Sequence, residues 1–285
     1  MLRPGAPSIA RLRLRRPHLR RPTINQLIPN ALTVAALCAG LTAIRFALIG
    51  RWDLAVFAII VAGIFDGLDG RMARLLGGTS KFGAELDSLS DFVSFGVAPA
   101  IMLYLWTMHA YGGLGWALVL LFAVCCALRL ARFNTALGDP NPPPWSRFYF
   151  TGVPAPAGAG LVLLPMTAWI EFGSGFFDRP ALNAIALVTV AFLMISRVPT
   201  FSIKQIRVQP SFMLPALLLV GVMAAALASA PFMTFLFVGL IYLASIPVSI
   251  WMRAKAKRSD NEAQAQPAAF TVTTTPPPSR PDSAA

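Results

Sequence analysis

Long apolar runs separated by short polar stretches dominate the hydrophobic pattern of this 285-residue chain. A helix that crosses a bilayer needs about 20 predominantly apolar residues. Eight segments approach or exceed that length, and a turn near Pro231 separates the last two. The pattern therefore predicts an all-α, polytopic transmembrane helix bundle of about eight spans, at residues 27–50, 53–75, 82–106, 113–136, 150–171, 181–198, 211–230 and 231–252.

The composition agrees with a membrane protein and argues against a soluble one. Hydrophobic residues make up 56% of the chain and charged residues 13%, whereas about a quarter of a soluble domain is charged. The formal net charge of +12 would suggest nucleic acid as the partner of a soluble protein. Here the charge lies at the chain ends and in certain loops, and the sequence shows no recognisable nucleic-acid-binding motif. Three cysteines and two histidines form no metal-ligand cluster, which argues against a zinc site.

The distribution of basic residues predicts the orientation of the bundle. With eight spans and both termini in the cytoplasm, 21 of the 24 Lys and Arg residues lie on the inner side, as the positive-inside rule requires. The predicted organisation is a basic N-terminal arm at 1–25, disordered or an interfacial helix, a transmembrane catalytic domain at 26–252 and a disordered cytoplasmic tail at 253–285.

Four aspartates lie near the inner ends of two consecutive spans. Asp66 and Asp69 are three residues apart in the second span, and Asp87 and Asp91 are four apart in the third. Each spacing places the pair on one face of a helix. A short loop between antiparallel spans brings the two faces together, so we expect four carboxylates to converge at the cytoplasmic edge of the membrane.

Such a cluster needs positive charge, because each carboxylate costs about 2.5–3.5 kcal/mol at mid-bilayer even on lenient scales. One source is an ion-pair network with Arg71 and Arg74. The other is a pair of divalent cations, and hard oxygen ligands suit Mg²⁺, Mn²⁺ or Ca²⁺. Two such ions stabilise the attacking and leaving oxygens of a phosphoryl substitution. The small residues Gly70, Ala73 and Gly83 leave room for a ligand or allow close helix packing.

The aspartates belong to the pattern D-x₂-D-G-x₂-A-R-x₈-G-x₃-D-x₃-D, which residues 66–91 match without a departure. By this motif the chain resembles the CDP-alcohol phosphotransferase family. Further similarity, which extends over about residues 25–205, is to the bacterial members that use serine as the acceptor. The segments that carry it are Ile28–Thr33, Phe82–Pro99, Ala127–Asn134, Gly152–Pro156 and Ser196–Lys204.

The resemblance implies a role for each motif residue. Asp66, Asp69 and Asp87 would bind one divalent cation, and Asp66, Asp87 and Asp91 a second, with Mg²⁺ or Mn²⁺ expected. Asp91 would also act as the catalytic base that deprotonates the incoming alcohol. The CDP moiety would contact a set of mostly small residues, Asp69, Gly70, Ala73, Arg74 and Gly83.

Four basic residues near inner span ends are candidate anion sites for lipid phosphate or the serine carboxylate, although topogenic charge explains them as well. They are Arg129, Arg132, Arg197 and Lys204. In the first span, Asn30 and Thr33 are placed either to cap the helix or to hydrogen-bond near the nucleotide.

The resemblance further implies an enzyme of the bacterial inner membrane, with its active site in the cytoplasm and a homodimeric state. It would transfer the phosphatidyl group from CDP-diacylglycerol to L-serine and release CMP. The motif reads the CDP half of the donor, so glycerol phosphate, inositol phosphate and choline remain alternative acceptors. A cation transporter is an alternative from another class, because intramembrane aspartates also mark ion paths.

Overall fold

The computed structural model describes residues 24–137, 149–173, 175–196, 199–201 and 213–265. Most of the predicted basic arm, the last twenty residues, and the candidate anion-site residues Arg197 and Lys204 lie outside these ranges. Contacts divide the chain into two compact units, one ending at Ala123 and the other beginning at Val124.

The described residues are overwhelmingly helical, which confirms the all-α prediction. The first unit and the helix that leaves it contain α1 (Ile24–Leu48), α2 (Trp52–Leu75), α3 (Lys81–Asp91), a π-helical segment (Phe92–Val97), α4 (Ala98–Trp106), a 3₁₀ turn (Met108–Tyr111) and α5 (Gly112–Leu137). The remainder contains β1 (Tyr149–Thr151), α6 (Ala155–Val162), α7 (Leu164–Phe172), α8 (Pro180–Ile195), β2 (Pro199–Phe201), α9 (Met213–Ser229) and α10 (Pro231–Ala265).

Each of the eight predicted spans overlaps one or more helices. The apolar helices and the family match show an integral membrane protein. By length and composition, four helices among the described residues can cross a membrane, or five if the bent pair α6–α7 counts as one span. The helix α2 is long enough but carries the charged motif, and α8 and the apolar part of α9 are shorter. The count of eight therefore stays a prediction.

In the first unit, α1 packs against α2, α3 and α4. The close approach of α1 to the π-helical segment depends on Gly40, where an added Cβ would lie 2.8 Å from the Ser94 Cα atom. At the other end of α1, the turn between α2 and α3 uses Gly77 at a φ of +60°, a conformation that favours glycine. The next residue, Gly78, touches the Asn25 backbone, so the turn that joins the two halves of the motif lies against the start of α1.

The span that contains α3 and α4 is continuous but not uniformly α-helical. The Ala98 N–H donates to the Val93 carbonyl, five residues back, which is the π-helical pattern. Pro99 follows directly and has no N–H to donate. The wider turn accommodates this proline and begins immediately after Asp91.

In the second unit, two features depart from the sequence expectation. The segment predicted as one span at 150–171 begins in β1, which pairs antiparallel with the distant β2, and contains a 43° bend between α6 and α7. Pro165 in the first turn of α7 removes a backbone donor and breaks the helix at this point.

The predicted disordered tail also begins too early, because α10 continues from the apolar span to Ala265. Residues 253–265 contain neither Gly nor Pro, and Ala, Lys, Arg, Glu and Gln make up most of them. These residue types have high helix propensity. The prediction of disorder from residue 253 was therefore wrong for its first part.

Candidate metal centre and adjoining cavity

Three carboxylates from two helices meet at the junction of α2 and α3. One oxygen each from Asp66, Asp69 and Asp87 lies within 4.8 Å of the other two. Asp69 is buried, with 5% of its surface exposed, and the other two are half-buried. Three carboxylate oxygens at this separation fit the hard-ligand set of a divalent cation, so this cluster could hold a metal ion.

The alternative explanation, an ion-pair network with neighbouring arginines, is not supported. Arg71 and Arg74 follow the first two aspartates on α2, and both are exposed. Among the described residues, no ion pair joins either arginine to Asp69 or Asp87. For Asp69 and Asp87, neither of these two side chains is an ion-pair partner within the described part of the chain.

The fourth motif aspartate lies outside the three-carboxylate group. Asp91 is half-buried and lies about one turn beyond Asp87 on α3, the spacing that places both on one face. It is absent from the set of oxygens that lie within 4.8 Å of one another. Its roles as a ligand of a second cation and as a base stay predictions.

The buried aspartate is held by a residue of α1. The Thr33 Oγ1 atom lies 2.6 Å from Asp69 Oδ2 and 3.1 Å from the Pro29 carbonyl oxygen. The spacing of the motif gave no indication of this contact, since the two residues are 36 positions apart. The observed partner of Thr33 is a candidate metal ligand and not a helix end; a role near the nucleotide stays a prediction.

A cavity of about 140 Å³ adjoins the carboxylates in the first unit. Its wall includes three of the small motif residues that the resemblance assigned to CDP, Gly70, Ala73 and Gly83, together with Asp69. Arg74, also assigned to CDP, is exposed and does not line it. The rest of the wall comes from the start of α1, the α2–α3 turn and α3: Pro29, Asn30, Thr33, Gly78, Thr79, Ser80, Ala84 and Asp87.

At position 83 a side chain could be added only if neighbouring side chains moved. An added Cβ would lie 2.8 Å from Asn30 Oδ1 and 3.1 Å from Ser80 Oγ. The Ser80 hydroxyl also accepts a hydrogen bond from the Gly83 N–H at 3.0 Å, which caps the start of α3. Sequence reasoning missed Ser80, although a serine shortly before the apolar pattern of a span is a signal for a helix N-terminus.

The described basic candidates lie in the second unit. Arg132 donates from Nη1 to the Ile195 carbonyl at 2.9 Å, which satisfies an acceptor at the end of α8. The guanidinium of Arg129 lies 5.9 Å from the centre of the Phe133 ring. These contacts give both arginines structural partners, and their proposed binding of anions stays untested.

Comparison with known proteins identifies a family and several similar proteins. A family model described as CDP-alcohol phosphatidyltransferase matches residues 26–255. A protein of Mycobacterium leprae named CDP-diacylglycerol–serine O-phosphatidyltransferase is 40% identical over 255 residues, which is 88% of this chain and 85% of the relative. Proteins of the same name are 38% identical over 235 residues in Mycobacterium tuberculosis strain H37Rv, 82% of either chain, and 33% identical over 173 residues in Bacillus subtilis, 60% of this chain and 88% of the relative.

Proposed function

Because the chain belongs to the CDP-alcohol phosphatidyltransferase family, we propose that it transfers the phosphatidyl group of CDP-diacylglycerol to the hydroxyl of L-serine. The serine oxygen forms a new bond to the phosphorus that carries the diacylglycerol. The bond from that phosphorus to CMP breaks, and the products are phosphatidylserine and CMP. Family membership makes the chain an enzyme and removes the cation transporter as an alternative.

The observation that carries this proposal is the contact between a carboxylate cluster and a small-residue cavity. Asp66, Asp69 and Asp87 bring their oxygens within 4.8 Å of one another. Two of these aspartates, Asp69 and Asp87, also line the cavity. A nucleotide diphosphate in this cavity would have its phosphates beside the carboxylates, an arrangement that requires cations between the two sets of negative groups.

The chemistry of the donor set supports a divalent metal. We propose that Asp66, Asp69 and Asp87 hold one cation and that Asp66, Asp87 and Asp91 hold a second, with Mg²⁺ or Mn²⁺ preferred and Ca²⁺ a possible substitute. Bound metal would supply neutralisation of the diphosphate and of the departing CMP. The protein's own contribution is to orient the carboxylates and to hold the donor against the small-residue wall.

Asp91 is our candidate for the base that accepts the serine proton. It lies on the same helix as Asp87, about one turn on, and is half-buried. The substitution Asp91→Asn removes the proton acceptor and preserves the size of the side chain. We expect turnover to fall about 10²–10⁴-fold, the range for loss of a general base, while the protein remains folded in the membrane. Near-normal turnover of this variant would exclude the assigned role.

Serine is the proposed acceptor because the relatives above carry that acceptor in their names. The test is an assay of the purified protein in detergent with CDP-diacylglycerol, Mn²⁺ or Mg²⁺, and one labelled acceptor at a time: serine, glycerol phosphate, inositol phosphate or choline. We expect labelled phospholipid and stoichiometric CMP from serine alone. Labelling from another alcohol without labelling from serine would replace the acceptor and leave the family chemistry intact.

We further propose that the enzyme is a homodimer in the inner membrane of a bacterium, with its active site facing the cytoplasm. The basic residues near the inner span ends support the orientation. The relatives from Mycobacterium and Bacillus support a bacterial source.

A further inference from the structure

Thr33 lies at a point where α1 contacts both helices that carry the aspartates. It is buried, with 4% of its surface exposed. Its hydroxyl lies against Asp69 of α2 at 2.6 Å, and its carbonyl oxygen accepts a hydrogen bond from Ser90 Oγ of α3 at 3.1 Å. One residue therefore contacts both halves of the candidate metal centre.

The hydroxyl of Thr33 carries one proton and has two acceptors within reach. The oxygen–oxygen distance is 2.6 Å to the Asp69 carboxylate and 3.1 Å to the Pro29 carbonyl. The shorter distance is typical of a hydrogen bond to a charged acceptor, which is about twice as strong as a neutral one. The proton is therefore directed to Asp69.

This bond restricts the ligand group of Asp69. The terminal torsion of an aspartate is broad and has no sharply preferred angle. A bond from Thr33 to Oδ2 selects one orientation of the carboxylate plane before a cation arrives. Hydrogen-bonded partners of metal ligands act in this way, and their loss typically weakens metal binding about 10–100-fold.

The main-chain carbonyl of Thr33 contacts α3, the second helix that carries motif aspartates. Ser and Thr hydroxyls inside helices commonly bond to a carbonyl of their own helix, four residues back, as Thr42 and Thr167 do here. Ser90 and Ser94 instead cross to α1, where they donate to the carbonyls of Thr33 and Ala36. Ser90 is adjacent to Asp91 and three residues after Asp87, so its bond to Thr33 sets the position of the aspartate-bearing part of α3.

From these contacts we propose that Thr33 is a positioning residue of the metal centre. Its side chain orients Asp69, and its main chain anchors α3, so that carboxylates from two helices keep the spacing that one cation requires. This inference rests on the proposed function only in assuming that the carboxylates bind a divalent cation. It does not depend on serine as the acceptor.

The test compares two substitutions at this position with a control on the same helix. Thr33→Val removes the hydroxyl and keeps the shape, and Thr33→Ser keeps the hydroxyl and removes the methyl group. The control Thr42→Val removes a hydroxyl whose 2.6 Å bond goes to the Cys38 carbonyl, about 14 Å farther along α1 at 1.5 Å per residue. Binding of Mn²⁺ to the purified proteins without lipid substrate is measured from the free-ion electron paramagnetic resonance signal.

We expect Thr33→Val to bind Mn²⁺ about 10–100-fold more weakly than the parent, with Thr33→Ser and Thr42→Val near the parent value. Parent-like affinity of Thr33→Val would overturn the inference. So would equal weakening by Thr33→Ser, because that result would assign the effect to packing of the methyl group. Failure of the parent protein to bind Mn²⁺ would contradict the proposed metal centre itself. Mn²⁺ binding without transfer to serine would contradict only the proposal that serine is the acceptor.

A second pair of variants tests the main-chain contact and stands in for Thr33→Val if that protein does not fold. Ser90→Ala removes the bond to the Thr33 carbonyl, and Ser94→Ala removes the equivalent bond to Ala36, one turn farther from the aspartates. We expect Ser90→Ala to weaken Mn²⁺ binding more than Ser94→Ala. Equal effects of the two variants would contradict a special role for the Thr33 contact.

Discussion

At the scale of the residue, the candidate centre depends on carboxylates of like charge whose oxygens lie close enough to repel one another. Asp69 and Asp87 line the same cavity, and no arginine of the motif pairs with either of them among the described residues. The fold holds these carboxylates together although their mutual repulsion lowers the stability of the folded protein. A bound cation would relieve that repulsion. Single substitutions that change the charge of a side chain but not its shape should therefore weaken cation binding more than they reduce the stability of the fold.

Asp87→Asn should lower transfer activity about 10²–10³-fold, the loss typical of removing one electrostatic group from a catalytic centre. The matched control is Glu85→Gln, which removes an acidic charge two residues away on an exposed face of the same helix. Assays at increasing Mn²⁺ concentration separate a weakened site from a lost one. If both variants lose activity equally, the loss is caused by the change in net charge on α3 and not by the removal of a member of the carboxylate cluster.

Gly83→Ala should raise the KM for CDP-diacylglycerol, because the new Cβ would displace the Asn30 side chain that lines the cavity. Overpacking of this kind costs about 1–3 kcal/mol. The control is Gly67→Ala on α2, where no other atom lies within 4 Å of the added carbon and alanine favours the helix by about 1 kcal/mol. Unchanged kinetics in the Gly83 variant would show that the donor does not reach this wall.

At the scale of the element, α3 is defined at both ends by features that bear on the site. It begins at the Ser80 cap beside the cavity, and it passes into the π-helical segment directly after Asp91. The apolar pattern predicted the length of this span, since hydrophobic periodicity is local. It did not predict the π-helical turn, because that turn depends on how Pro99 and Ser94 are accommodated against α1.

Ser80→Ala should destabilise the protein by about 0.5–2 kcal/mol, because it leaves the Gly83 N–H without its acceptor. The control Ser80→Thr keeps a hydroxyl that can cap the helix. Thermal unfolding in detergent measures the difference, and Mn²⁺ should stabilise both variants through preferential binding to the folded state. Equal unfolding temperatures for the two variants would show that the Ser80 cap does not contribute to the stability of the protein.

At the scale of the whole molecule, the placement of charge and apolar surface determines how the chain lies in the bilayer. The helices α9 and α10 expose many large apolar side chains, as lipid-facing helices do. Basic residues lie at both chain ends and near the inner ends of the predicted spans. An even number of spans is required to keep both ends on the same side.

Reporter fusions test this even number. Alkaline phosphatase fused after Ala265 should be inactive in a bacterial host, and green fluorescent protein at the same point should fluoresce, because the positive-inside rule places this end in the cytoplasm. Phosphatase fused after Asp178, between α7 and α8, should be active. An active phosphatase at the C-terminal point would contradict a cytoplasmic C-terminus, and with the basic N-terminal end inside it would require an odd number of spans.

Sequence alone was sufficient to locate the motif and most of the apolar helices, because apolar run length and helical spacing are properties of neighbouring residues. The same information predicted that four aspartates converge, and the structure brings the oxygens of three of them, Asp66, Asp69 and Asp87, within 4.8 Å of one another. Only the tertiary structure showed which partners hold them. The contacts of Thr33 join residues 36 and 57 positions apart, and they depend on the rotation and depth of α1 against its neighbours, which no local pattern specifies.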